Sequence, residues 1–263
     1  MEHAAIALLG FYALGYLILG GADIGLGMMM PFLAKNAPER RQVVRGIVPF
    51  FLGHEVWLVA AAGVLIGCFP ELEGRMLTSA FPAVVTLLLG WIARDVGLWT
   101  RGRAASPAWH GFCDVLICLG SWVVALSWGV FLLWTGGEWP GGIGLLLAGL
   151  VVLLFAAHGL GYAGLRIARE GAVGTRVRQL SGRVGGRVLF ALTAAAMVLT
   201  GIATGRGLSL VDGAADPETL AVLVPALLVI TPLVLAAQVG MWWLLRARAV
   251  PESDITPVSH PGR

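Results

Sequence analysis

Charge is what this sequence has least of. Only 13% of its 263 residues are Asp, Glu, Lys or Arg, against about 25% in ordinary soluble proteins. With 58% apolar residues and a mean hydropathy of +0.85, that scarcity excludes a soluble globular core and implies an integral membrane protein. Cysteine is scarce too. Cys68, Cys113 and Cys118 fall within or at the ends of apolar segments, without C-x-x-C spacing and without a histidine at metal-finger distance. They read as small buried hydrophobes and say nothing of redox compartment. A basic leader followed by a small-residue cleavage site is also missing, so the first apolar stretch reads as a retained helix.

What is present is hydrophobic run after hydrophobic run. A bilayer core takes roughly 20 apolar residues per helix. That window predicts spans near 5–33, 47–69, 76–99, 112–135, 142–165, 186–204 and 219–245. The expected fold class is an all-α integral membrane protein of about seven transmembrane helices. Phe69-Pro70, Gly136-Gly137, Trp139-Pro140-Gly141 and Asp216-Pro217 punctuate the span ends, and the polar tail from Pro251 to Arg263 reads as disordered.

The net charge of +3 and pI near 9.1 do not call for nucleic acid, because the positions of the charges explain them. Of 18 basic residues, all but Arg75, Arg94 and Arg206 fall in the first, third and fifth loops or after the last span. The positive-inside rule then places the N-terminus outside and the C-terminus in the cytoplasm, as an odd span count requires. The fifth loop, from Arg166 to Arg187, reads as a surface helix attracted to anionic lipid.

Ionisable groups within spans are costly and mark functional sites by default. Counting from the cytoplasmic ends at about 1.5 Å per residue, Asp23 lies roughly 15 Å deep, Glu55 roughly 12 Å and His158 roughly 10 Å. Arg94 and Asp114 are shallower and within snorkelling reach of the interface. The outer halves of the spans hold essentially no ionisable residue. A transport pathway would more often carry polar groups through its full depth. A half-depth cluster instead suggests protons rising from the cytoplasm to a buried point, or else a packing network.

Each residue has a plainer alternative. Asp23, among Gly20, Gly21, Gly25 and Gly27, can simply bond a closely admitted helix. Glu55 must be paired, protonated or wet. Arg94, beside Asp95, and Asp114 read as structural. His158 reads first as a packing residue, with proton carriage and haem ligation behind it. The G-L-G-Y-A-G run at 159–164 matches G-x-G-x-x-G but lies inside a span, so small-residue helix packing explains it rather than a dinucleotide. Met28, Met29 and Met30 read as apolar contacts rather than haem ligands. Six tryptophans, Trp99, Trp109, Trp134, Trp139, Trp242 and Trp243, fall near span ends as an aromatic belt does, whereas Trp57, Trp91, Trp122 and Trp128 lie deeper.

These residues carry a family resemblance. G-A-D-I-G-L-G at 21–27, then Pro31-Phe32-Leu33 and Glu39-Arg40-Arg41, resembles the start of subunit II of cytochrome bd-type quinol oxidases, which reads G-F-D-x-G-x-G, a P-F-L-like step and an E-R-R loop. P-F-F-L-G-H-E-V-W at 49–57 resembles that family's G-P-x-W-D-G-N-E-V-W-L, and Phe69-Pro70 its F-P ending. Arg94, Arg101, Trp109, Asp114, Gly120-Ser121 and His158-Gly159 continue the likeness through residue 165. Beyond it the likeness thins to Pro232, Gln238, Trp242 and Arg246.

The resemblance implies a multi-pass subunit of the cell inner membrane, in a heterodimer with subunit I. That partner would carry haems b and d and draw on the quinol pool, with no catalytic residue, metal or haem in this chain. It implies proton-route roles for Asp23 and, in the second-span motif, Glu55, and a quinone or packing role for Trp57. The family has eight spans in two four-helix halves. The expected division here is a four-helix bundle over 1–135, a shortened three-helix bundle over 136–250 and a cytoplasmic tail over 251–263.

One departure bears on function. Leu52 stands where the family has an aspartate of the proton route, and His54 where it has asparagine. Either the route is absent or it is rebuilt through His54, since an imidazole with pKa near 6.5 is a competent relay. The expected function is therefore subunit II of a quinol:dioxygen oxidoreductase. The alternative is a divergent scaffold of a bd-like haem complex with altered or no oxidase activity. A proton-linked permease is disfavoured by the apolar outer halves.

Overall fold

The structure is a computed structural model that describes residues 1–133, 141–167 and 170–245. Within them the chain is all-helical. α1 (Glu2–Leu33) leads to α2 (Ala37–Ile47), α3 (Phe51–Cys68), α4 (Pro70–Ser79) and α5 (Phe81–Thr100). A 3-10 turn over Arg101–Arg103 precedes α6 (Pro107–Leu133). Then come α7 (Gly142–Arg166), α8 (Gly171–Ser181), α9 (Gly185–Arg206) and α10 (Pro217–Leu245). Seven of these helices, α1, α3, α5, α6, α7, α9 and α10, are long and apolar enough to cross a membrane, matching the seven expected spans. The chain is a membrane protein.

The second, third and fourth span starts differ from expectation, the fourth beginning at Pro107 and not near 112. The second span begins at Phe51 because residues 48–50 form a turn. The third begins at Phe81 because residues 70–79 form a separate helix. That helix, α4, has Pro70 at its start, Glu71 and Glu73 in its first turn, and Leu72 and Met76 buried. Its mixed composition is too polar for a span and enough for an amphipathic surface helix. α2 is similar. The Asn36 side chain accepts from the Glu39 backbone N–H at 2.9 Å, and the Glu39 carboxylate accepts the Lys35 N–H at 2.6 Å, so the two groups close the helix start reciprocally. The fifth loop does hold a short helix, α8, with Val173 and Val177 buried. The predicted features at 134–140 and the tail from 251 lie outside the described residues.

α1 is the hub. Every residue from Gly20 to Met28 is buried, and α1 packs against α3, α6, α7, α9 and α10. It thus touches helices on both sides of the expected division near residue 136. The closest crossing is with α7. A Cβ on Gly25 would lie 2.0 Å from the Phe155 carbonyl oxygen, and one on Gly159 would lie 1.9 Å from the Gly25 carbonyl carbon. Only glycine on both helices allows this approach, as small-residue crossings in membranes require. α5 and α6 form a second tight pair through Gly90 and Gly120, where a Cβ on Gly120 would meet the Gly90 oxygen at 2.6 Å. The outward surfaces are apolar: Val59, Leu89, Leu146, Leu199 and Val229 are each at least 60% exposed, as lipid-facing positions should be.

At one end of the bundle the basic loops are tied together. Arg176 on α8 donates to the Leu33 carbonyl at 2.7 Å and to Glu39 at 2.6 Å. The Arg176 guanidinium holds the Glu39 carboxyl below the usual carboxylate range, with partial burial opposing it.

Candidate functional site

The buried crossing of α1 with α7 fixes Asp23, two residues before Gly25. Facing it from α3 is His54. Its Nδ1 lies 2.7 Å from Asp23 Oδ2, and both side chains are 1% exposed. A carboxylate oxygen only accepts, so with Asp23 ionised Nδ1 carries the hydrogen and donates it. Asp23 Oδ1 and His54 Nε2 are buried and make no hydrogen bond with protein. The ring is held between aromatic faces: Phe50 at 5.9 Å between centroids and Trp242 of α10 at 6.3 Å, both near parallel. With Nδ1 on the carboxylate, Nε2 is the ring nitrogen without a protein hydrogen bond, and Asp23 orients the ring as an aspartate orients a catalytic histidine.

Successive helical residues turn about 100°, so Glu55 does not share this contact. It faces α5, where its Oε1 accepts from Trp91 Nε1 at 2.9 Å and from Arg94 Nη1 at 3.3 Å. The same Arg94 nitrogen donates to Asp95 at 2.9 Å. Arg94 is 3% exposed. It turns inward to these carboxylates instead of snorkelling outward. Glu55 and Asp95 are 12% and 20% exposed at the side chain, so this cluster reaches the outer face of the α3–α5 pair. Leu52 lies on that outer face, 49% exposed.

The other residues singled out in the sequence hold helices together. Trp57 packs over Gly15 of α1 and donates its indole N–H to Gln238 Oε1 at 3.2 Å, clasping α10 to α3. Asp114 receives Arg101 through Nε at 2.6 Å and Nη2 at 3.3 Å, with Arg40 at 3.7 Å, which closes the α5–α6 connection. His158 is fully buried. Its Nε2 donates to the Ile18 carbonyl of α1 at 2.9 Å, and its Nδ1 lies 2.7 Å from the Thr193 hydroxyl of α9. With both nitrogens engaged, His158 would have to give up one of these bonds to bind a metal. Among the described residues no group of three or more His, Cys, Asp or Glu side chains converges as a metal site. Met28 and Met30 are core residues, and the three cysteines are free thiols.

The sequence marks Asp23, His54 and Glu55 as ionisable groups within spans but does not pair them, and it does not mark Trp91, Gln238 or Trp242 as partners. Trp91 and Arg94 are three apart on α5 and so share a face. That spacing was the available signal. The contact of His54 with α10 depends on tertiary packing that no local pattern announces.

Comparison with known proteins identifies the family. Residues 1–208 match the family profile described as cytochrome bd terminal oxidase subunit II. Subunit 2 of the cytochrome bd-I ubiquinol oxidase of Escherichia coli K12 is 32% identical over 123 residues, 47% of this chain and 32% of that protein. Subunit 2 of the cytochrome bd ubiquinol oxidase of Bacillus subtilis 168 is 34% identical over 116 residues, 44% of this chain and 34% of that protein. A probable cytochrome oxidase subunit 2 of Haemophilus influenzae is 28% identical over 117 residues. The matching stretch thus spans about a third of these relatives' own length. With the profile covering most of the chain, this membrane protein belongs to the cytochrome bd terminal oxidase subunit II family.

Proposed function

We propose that this chain is the haem-free subunit of a quinol:dioxygen oxidoreductase. In that role it pairs with a haem-bearing subunit I, stabilises the complex and delivers protons from the cytoplasmic side. The observation that carries the reading is the Asp23–His54 pair, buried at 2.7 Å with Nε2 left for proton exchange. A proton taken on Nε2 makes an imidazolium, which the Asp23 carboxylate stabilises through the retained Nδ1–H bond. Release from Nε2 restores the starting state. The haems and the quinol site belong to the partner in this reading and supply the electron transfer to oxygen. The orientation follows the basic loops: Arg40, Arg101 and Arg176 lie at the bundle end joined by the Glu39 and Asp114 ion pairs, and the positive-inside rule makes that end cytoplasmic.

The test is to express the chain with its haem-bearing partner, purify the complex and measure quinol-driven oxygen uptake. Reconstituted in vesicles, the His54→Asn variant should slow proton uptake by about 100-fold, the low end of what a positioned acid–base group contributes. Unchanged uptake in that variant would remove His54 from the route.

A second reading is favoured by Leu52. Its exposed aliphatic side chain carries no proton where the family pattern has a carboxylate. On this reading the chain is a scaffold of a bd-like complex with altered or absent oxidase activity. Copurification of a haem protein that fails to oxidise quinol would select it.

A further inference from the structure

Where α7 ends and α9 begins, α8 lies across both and leaves a cavity of about 290 Å³. Its floor is apolar: Ile167 and Val177 are 5% and 4% exposed. Behind them α7 and α9 meet so closely that a Cβ on Gly186 would lie 2.6 Å from the Gly164 Cα. Its rim is cationic, with Arg178 and Arg187 both lining it, and no acidic residue lines it among those described. Arg178 donates to Thr175 at 3.1 Å, one turn back on α8, which holds the guanidinium at the rim. Gly182 and Gly185, at φ +57° and +73°, turn the chain between α8 and α9, and both line the cavity.

The geometry points to a binding site for the phosphate headgroup of an anionic phospholipid. Two features select a lipid over a soluble anion. The cavity sits level with the ends of two membrane spans, where headgroups lie. From its rim an exposed apolar stripe of Val184, Val188 and Leu192 runs along α9 at four-residue spacing, a track for an acyl chain. The cationic rim answers the phosphate charge, as guanidinium groups do, and the apolar floor answers the glycerol and first methylenes. The small volume, at the low end for ligand pockets, suits a headgroup and not a whole lipid. The inference needs only the membrane placement of the chain and stands whether or not the oxidase reading holds.

The full-length purified chain, titrated with phosphatidylglycerol or phosphatidylcholine and read by native mass spectrometry, tests it. Phosphatidylglycerol should bind at least tenfold more tightly than phosphatidylcholine. The Arg178→Gln/Arg187→Gln double variant should lose that preference, while Arg206→Gln, at the far end of α9, keeps it. Arg187→Lys should retain most of the binding, which separates loss of charge from loss of fold. Equal affinity for the two lipids, or an unchanged preference in the double variant, would overturn the proposal. So would displacement of the lipid by millimolar inorganic phosphate, because the site would then be one for a soluble anion.

Discussion

Replacing Gly159 by Ala adds one methyl group at the tightest point of the structure. The new Cβ would sit 1.9 Å from the Gly25 carbonyl carbon and 2.1 Å from the Leu26 nitrogen, both backbone atoms that cannot rotate away. Reaching 3.4 Å, where ordinary contact begins, requires α1 and α7 to part by about 1.5 Å. His158 is the preceding residue, so the same movement stretches its 2.9 Å bond to the Ile18 carbonyl past roughly 4 Å, beyond hydrogen-bond reach. Overpacking costs about 1–3 kcal/mol, and a buried polar group left without its partner costs about 1–3 kcal/mol more. At about 2–4 °C per kcal/mol for a chain of this size, the thermal midpoint of the purified protein should fall by at least about 4 °C. Gly149→Ala is the matched control on the same helix. Its Cβ meets nothing within 4 Å, and alanine is the better helix former by up to about 1 kcal/mol, so it should melt at or slightly above the parent. If the two variants melt together, the close crossing is not what holds Asp23 in place.

Other outcomes follow from the same contacts. Asp23→Leu leaves the His54 Nδ1–H buried without its acceptor and should cost about 3–5 kcal/mol, whereas removing both partners as Asp23→Leu/His54→Leu should recover a large part of that loss. A double variant that melts at the sum of the two single losses would contradict the pairing. Thr193→Val keeps the shape but removes the hydroxyl that meets His158, which should lower stability by about 1–3 kcal/mol in a denaturation series. Glu39→Gln tests the loop clasp through pH. Arg176 depresses the Glu39 pKa below its ordinary value of 4.5, so the clasp is fully present above that value and is lost as pH falls through the lower folded value. The variant should melt slightly below the parent at pH 7 and together with it in strong acid, and a difference that persists in strong acid would count against the ion pair.

The seven spans were legible because burial in lipid demands long apolar runs, and a hydropathy window reads those directly. The short helices were less so. α4 fell partly inside the expected third span because Leu72 and Met76 raise its hydropathy, and only the Phe69-Pro70 start hints at a new helix. α2 has a clear signature in Asn36-Ala37-Pro38-Glu39, a cap residue followed by a proline and an acid in the first turn. It could have been read as a helix within the basic loop. The site was legible as a set of residues but not as two assemblies. Asp23, His54 and Glu55 stand out because ionisable groups are rare in spans. Which of them touch depends on the rotation of α3, and that rotation is set by Trp57 seating over Gly15 and by α10 closing on His54 through Trp242.

The rotation of α3 also decides what the loss of a carboxylate at Leu52 means. Leu52 and His54 are two residues apart, roughly 200° around the helix, so His54 points inward while Leu52 points out, and the histidine does not stand in the missing position. Glu55, three residues from Leu52, lies about 60° from it on the same side. Its carboxylate and that of Asp95 flank the single Arg94 guanidinium, so with both ionised the cluster holds one negative charge in excess, and one added proton makes it neutral. Within the proposed proton-delivery role, this cluster at the face of α3 and α5 is a second candidate for the path. Within the proposed complex, Glu55→Gln should slow proton uptake by about 100-fold while leaving the complex assembled. Adding Leu52→Asp to that variant should restore part of the rate, because it returns a carboxylate to the same face. If Glu55→Gln leaves the uptake rate unchanged, the α3–α5 face is not a proton path and the Asp23–His54 pair must carry the traffic alone.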